Sequence, residues 1–265
     1  MRKTRIVAVA CVLLAVAGAM ASPTINSAVI HSRVWNDDPL STFTSTNAYP
    51  TTVAMQDVHD PNNTGWTNLH TFRLSVDGAN DAVFMNNDGF SVSADVKITG
   101  TSNVEGGLSV TPWWTKNAAD GVFMVNAESG EVACFGARLP FFSFTNTYGL
   151  HYTKGTTVRL GIYYDPEDLN QADPARVRYW YTTGGTTYAS SFLPFDQGDP
   201  NEGVIYGNWG ILNDARVGGY FMPKVAGQGD PPRWGAIEFS NFYYIPEPAG
   251  LLLVGLAAAF LRRGR

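Results

Sequence analysis

The chain is poor in cysteine, with Cys11 and Cys134 the two among 265 residues. Cys11 lies inside an apolar N-terminal run behind Ala8-Val9-Ala10, too early for a lipidated cysteine. Cys134 alone closes no intrachain disulfide, so the body must hold itself together by its core. In Glu131-Val132-Ala133-Cys134-Phe135 it reads as a buried strand thiol, because local spacing offers no histidine to activate a nucleophile. Histidine is scarce too: the four stand at 31, 59, 70 and 151. There is no His-Glu-x-x-His helix, no Gly-x-Ser-x-Gly elbow and no strand of closely spaced carboxylates, which removes three common routes to hydrolysis. Asp57-Val58-His59-Asp60 comes nearest to a ligand cluster and reads as a solvated loop. Sustained apolar spacing at 3.6 residues is missing from the body as well, which predicts almost no helix.

What is present begins at the two ends. Arg2, Lys3 and Arg5 precede an apolar run from Ile6 to Ala17, and Ala19-Met20-Ala21 places small residues where a signal peptidase reads. Residues 1–21 are therefore expected to be a leader cut after Ala21. At the other end come Ile245-Pro246-Glu247-Pro248, an uncharged stretch from Ala249 to Leu261, and Arg262-Arg263-Gly264-Arg265. Thirteen residues rise about 20 Å as a helix, short of the roughly 30 Å hydrocarbon core. The prolines deny that helix a clean start, and the arginines favour the cytoplasmic side.

This order of parts resembles a PEP-CTERM sorting signal. The resemblance implies that Pro246, Glu247 and Pro248 mark the processing region for an exosortase-type membrane protease. It also implies that 249–261 is a membrane helix and that Arg262, Arg263 and Arg265 are its stop. A plain C-terminal anchor that nothing cuts is the other reading. Leader and tail together hold six of the 18 basic residues and one of the 23 acidic ones, so the body has 12 against 22, a net of −10. A body that acidic argues against nucleic acid and anionic lipid as partners.

About 224 residues between the signals suffice for one sizeable domain. Residues 22–66, rich in Ser, Thr, Asn, Asp and Pro, read as an N-terminal strand followed by loops. From 67 to 244 short strands recur. Phe90, Val92, Ala94, Val96 and Ile98 alternate with polar residues, as do Val158, Leu160, Ile162 and Tyr164, and then Val177, Tyr179 and Tyr181. Thr183-Gly184-Gly185-Thr186 reads as a hairpin. The expected fold is all-β, a two-sheet antiparallel sandwich with Val92, Val96, Leu160, Ile162, Tyr179 and Phe239 inside. The order of these strands and the closing Ile237–Tyr244 resemble concanavalin A-like and laminin-G sandwiches, with an unrelated jelly roll the other possibility.

Three tryptophans are hard to place in a core. Trp113-Trp114 send successive rings to opposite sides, and Trp180 shares the outward parity of Arg176 and Arg178. Exposed rings stack on sugars; rings that cover the edge of a large core are the plainer reading. No cofactor is expected, although calcium suits the oxygens of Asn86, Asp88, Asp165 and Asp168; Asn-Asp-Gly also makes an ordinary turn. The sequence thus predicts an exported, non-enzymatic cell-surface or extracellular-matrix protein, tethered transiently by its tail. A lectin-like module bound to extracellular polysaccharide is the alternative, and a divergent glycan-cleaving enzyme a second.

Overall fold

The computed structural model describes residues 22–62, 65–111, 121–195, 209–224 and 233–247. The strands are β1 (Ser27–Asn36), β2 (Thr42–Ala48), β3 (Thr52–Val58), β4 (Asn68–Ser75), β5 (Phe90–Gly100), β6 (Asn103–Thr111), β7 (Val122–Asn126), β8 (Val132–Phe135) and β9 (Phe142–Ser143). After the helix α1 (Phe144–Tyr148) come β10 (Thr157–Asp165), β11 (Arg176–Thr183), β12 (Thr186–Ala189), β13 (Leu193–Pro194), β14 (Arg216–Lys224) and β15 (Trp234–Pro246). They form two antiparallel sheets. One runs β1-β4-β14-β6-β7-β8-β9; the other runs β12-β11-β10-β5-β15-β3-β2, with β13 also paired to β11. The expected all-β sandwich is the observed one. Among the described residues, α1 is the sole α-helix.

The alternation read in the sequence sets the two faces. In β5 the even positions Phe90 to Ile98 are buried, and Leu160, Ile162, Tyr179 and Phe239 are fully buried beside them. Inner faces meet through rings: Phe72 stands edge-on to Phe239 at 4.8 Å, and Phe123 to Tyr179 at 5.8 Å. Burying one such side chain contributes about 1.5–3 kcal/mol relative to leaving it in water. Cys134 is buried in β8, where burial pushes its thiol well up, consistent with a structural role. Gly184 and Gly185 have φ of 55° and 79° and close the β11–β12 hairpin between the paired Thr183 and Thr186.

Two boundaries differ from the expectation. Residues 22–66 are no mere lead-in, since β1 joins the seven-stranded sheet while β2 and β3 extend the eight-stranded one. The sandwich also runs past 244. Pro246 pairs with Phe90 at the end of β15, and the Glu247 amide donates to the Gly89 carbonyl at 2.8 Å. Pro has no amide to give, and β15 is flanked there by β5 alone, since its pairing with β3 ends at Ser240. The first two members of Pro246-Glu247-Pro248 therefore belong to the body.

Candidate functional site

The outer face of the eight-stranded sheet carries the arrangement with most chemical character. Outward positions are Arg176, Arg178, Trp180 and Thr182 on β11, Arg159, Gly161 and Tyr163 on β10, and Ser91, Ser93 and Asp95 on β5. Trp180 pairs with Gly161 across the strands, and a Cβ built on Gly161 would fall inside the Trp180 indole. The ring therefore covers the sheet at that point. Only a residue without a side chain lets it lie so close.

A groove of about 410 Å³ opens beside this ring, lined by Ser91, Tyr163, Arg178, Trp180, Thr187 and Phe192. Phe192 is 43% exposed and meets Tyr163 edge-on at 5.8 Å. Two guanidinium groups sit by it, Arg176 at 5.1 Å and Arg178 at 5.7 Å from the ring centre. Arg176 is neutralised by Asp165, at 3.0 Å, and by Glu167. Arg178 instead donates Nε to the Ser190 carbonyl at 3.3 Å. Burial raises the Tyr163 phenol, and the charges of Glu247 and Asp165 add to the effect.

Farther along the same face, Arg159 donates to Asp95 Oδ1 at 2.7 Å, Ser93 Oγ at 2.9 Å and the Asn241 carbonyl at 3.1 Å, fastening β10, β5 and β15 together. Beyond this clasp a second groove of about 290 Å³ is lined by polar side chains including Thr44, Gln56, Lys97, Thr99 and Glu238.

A buried polar network lies between the sheets and corrects the reading of Asp57-Val58-His59-Asp60 as solvated. Asp57 and His59 are 3% and 2% exposed. They continue the inward parity of Val53 and Met55 on β3, so the strand's alternation carries them into the interior. His59 Nδ1 meets Asp38 Oδ2 at 2.6 Å, and His70 Nε2 meets Asp57 Oδ2 at 2.9 Å. The Arg33 amide donates to His70 Nδ1 at 3.0 Å, which assigns the His70 proton to Nε2. Asn68 donates to the Asp38 carbonyl, Ser41 Oγ and Asp57 Oδ2 at 2.9–3.0 Å. Burial works to raise the Asp57 carboxyl, but hydrogen bonds from His70, Ser41 and Asn68 outweigh it and hold the group below its usual value. These residues join β3 of one sheet to β4 of the other.

Around β4, β6 and β14 the outer face of the seven-stranded sheet is buried and partly polar. Arg73 is fully buried, donates to Ser109 Oγ at 3.0 Å, and is held by burial down to about 9. Tyr220 nearby is 2% exposed, and its hydroxyl has no hydrogen-bond partner among the described residues.

Of the aromatic candidates, the structure places Trp180 on the outer face, while Trp113 and Trp114 lie outside the described residues. So do Ala19, Ala21, Pro248, Arg262, Arg263, Arg265 and the stretch 249–261. No helix among the described residues is long and apolar enough to cross a membrane. Of the calcium candidates, Asp88 Oδ2 accepts from the Met85 amide while its Oδ1 is buried without a partner among the described residues, the Asn86 carbonyl accepts from Tyr164, Asp165 pairs with Arg176, and Asp168 is exposed. No group of three or more His, Cys, Asp or Glu among the described residues could hold a metal ion. Sequence reasoning missed Gly161, Tyr163 and Phe192, although Tyr163 shares the outward parity of Arg159.

No family model and no curated protein matches this chain. Solved structures similar to it in fold include alginate lyase A1-II′, a member of polysaccharide lyase family 7, at 8% identity over 82% of this chain and 99% of that one, TM-score 0.40. Others are an alginate lyase from Alteromonas sp. 272, at 12% identity over 82% and 94%, TM-score 0.35, and lectin II from Ulex europaeus, at 9% over 78% and 99%, TM-score 0.37. The likeness is one of fold. The sequence reading put a non-enzymatic surface or matrix component ahead of a carbohydrate-binding module, and that order is corrected. What corrects it is the ring-floored groove that lies open on the sheet.

Proposed function

We propose that this protein is a carbohydrate-binding β-sandwich that receives a sugar in the groove beside Trp180. The observation that carries the reading is the Trp180 indole laid over Gly161, with Tyr163 and Phe192 completing an aromatic wall around about 410 Å³. Aromatic faces stack on the apolar faces of sugar rings, and Ser91 and Thr187 offer hydroxyls to orient them. Pre-placement matters here. A ring already pressed onto a sheet loses little rotamer freedom when a ligand arrives.

Among the described residues the groove lining contains no carboxylate, and hydrolysis by the usual acid–base route takes two, so the lining does not fit that route. A glycan-array screen of residues 22–247 tests the reading: binding to at least one saccharide class is expected, and an array with no specific signal would refute it.

A further inference from the structure

We infer that the sugar held on Trp180 carries an anionic group, a carboxylate or a sulfate ester, and that Arg178 is the residue that reads it. This rests on the carbohydrate-binding reading above and specifies its ligand class.

The cations on this sheet face differ in how they are engaged. Arg159 is bound to Asp95, and Arg176 to Asp165 and Glu167. Arg178 has no carboxylate partner among the described residues and is exposed at the groove. It is nevertheless held in place. Its Nε donates to the Ser190 carbonyl at 3.3 Å, and its guanidinium lies 5.7 Å from the Phe192 ring centre. With Nε engaged, the two Nη groups remain as a planar fork of donors. Such a fork fits the paired oxygens of a carboxylate or sulfate, and a guanidinium already fixed loses less freedom when it binds.

Position completes the case. Arg178 and Trp180 are two apart on β11, so both project to the same side about 7 Å apart along the strand. That spacing lets one sugar ring lie on the indole while a charged substituent reaches the fork. In a body with a net of −10, an arginine without an acidic partner inside a groove is the reverse of the average surface. A neutral sugar would leave that fork to water.

The test uses residues 22–247, with polygalacturonate, its carboxyl-reduced polymer, a sulfated galactan and its desulfated form as probes. Isothermal titration should show at least one charged polymer binding about tenfold or more tighter than its neutral counterpart, with the preference shrinking as salt is raised. Whichever charged polymer wins identifies the anionic group. Arg178→Gln should erase the preference, bringing the charged polymer's affinity down to that of its neutral counterpart, and Arg178→Lys should restore only part of it. Equal affinity for charged and neutral forms, or a preference that survives Arg178→Gln, would overturn the anionic assignment while leaving the Trp180 groove standing. Charged-polymer binding untouched by Trp180→Ala would instead remove the carbohydrate-groove reading on which this one rests, and this inference with it.

Discussion

Trp180 occupies the space into which a side chain at residue 161 would project. The indole of β11 and the bare backbone of β10 form one unit, and the glycine is as much part of the groove as the ring is.

Gly161→Ala therefore tests the platform from beneath. A methyl at 161 cannot coexist with the ring, so the indole must swing outward. Overpacking of this kind costs about 1–3 kcal/mol, less where the displaced group can turn into solvent, as here. The expected result is a modest fall in melting temperature with a large loss of glycan affinity. Unchanged affinity would mean that the ring's placement on the sheet is irrelevant to binding.

The inter-sheet network makes a pH prediction. Asp57 has a folded-state value below its ordinary 3.8 because His70, Ser41 and Asn68 hydrogen-bond its charged form. A depressed carboxylate contributes stability that is complete above its unfolded value and is lost as pH falls through the folded one. Asp88 and Glu105 are raised by burial and act in the opposite sense, so the wild-type curve alone is a mixture. Denaturant titrations of wild type and Asp57→Asn between neutral and acid pH separate them. The variant should be less stable at pH 7 and lose less on acidification below about 4. Two parallel curves would show that Asp57 contributes no such linkage.

Tyr220 carries a phenol whose hydroxyl is buried without a partner among the described residues, and burial raises its pKa well above the ordinary range. An unsatisfied buried hydroxyl costs about 1–3 kcal/mol in desolvation. Tyr220→Phe is expected to leave the melting temperature unchanged or raise it. A clear loss of stability would reveal a partner for that hydroxyl and turn attention to the seven-stranded face.

The legible part of the fold was the part whose strands bury one face cleanly. Phe90 to Ile98 and Val158 to Tyr164 alternate without interruption because apolar residues line the core while polar residues and glycine take the outer face. Thr42–Ala48 shows no such period: it is an edge strand of the eight-stranded sheet, with only Phe43 part-buried, so nothing in its composition separates it from a loop. Asp57 and His59 were misread for the converse reason. Their inward parity was correct for a strand, but the partners that satisfy them, Asp38, Asn68 and His70, come from elsewhere in the chain. In the groove, parity alone located Trp180. Gly161 gave no signal, since its purpose is a ring 19 positions away that only strand pairing brings over it.

The central claim is that Trp180 is a binding surface and not a core residue. Truncating a core tryptophan costs about 3–5 kcal/mol, whereas removing a ring that lies on the outside of a sheet leaves no internal cavity. The decisive measurement is the glycan affinity of Trp180→Ala taken beside its melting curve. The account predicts that affinity falls at least tenfold while the melting temperature moves by no more than a few degrees. A variant that unfolds, or one that melts normally and binds as wild type does, would contradict it.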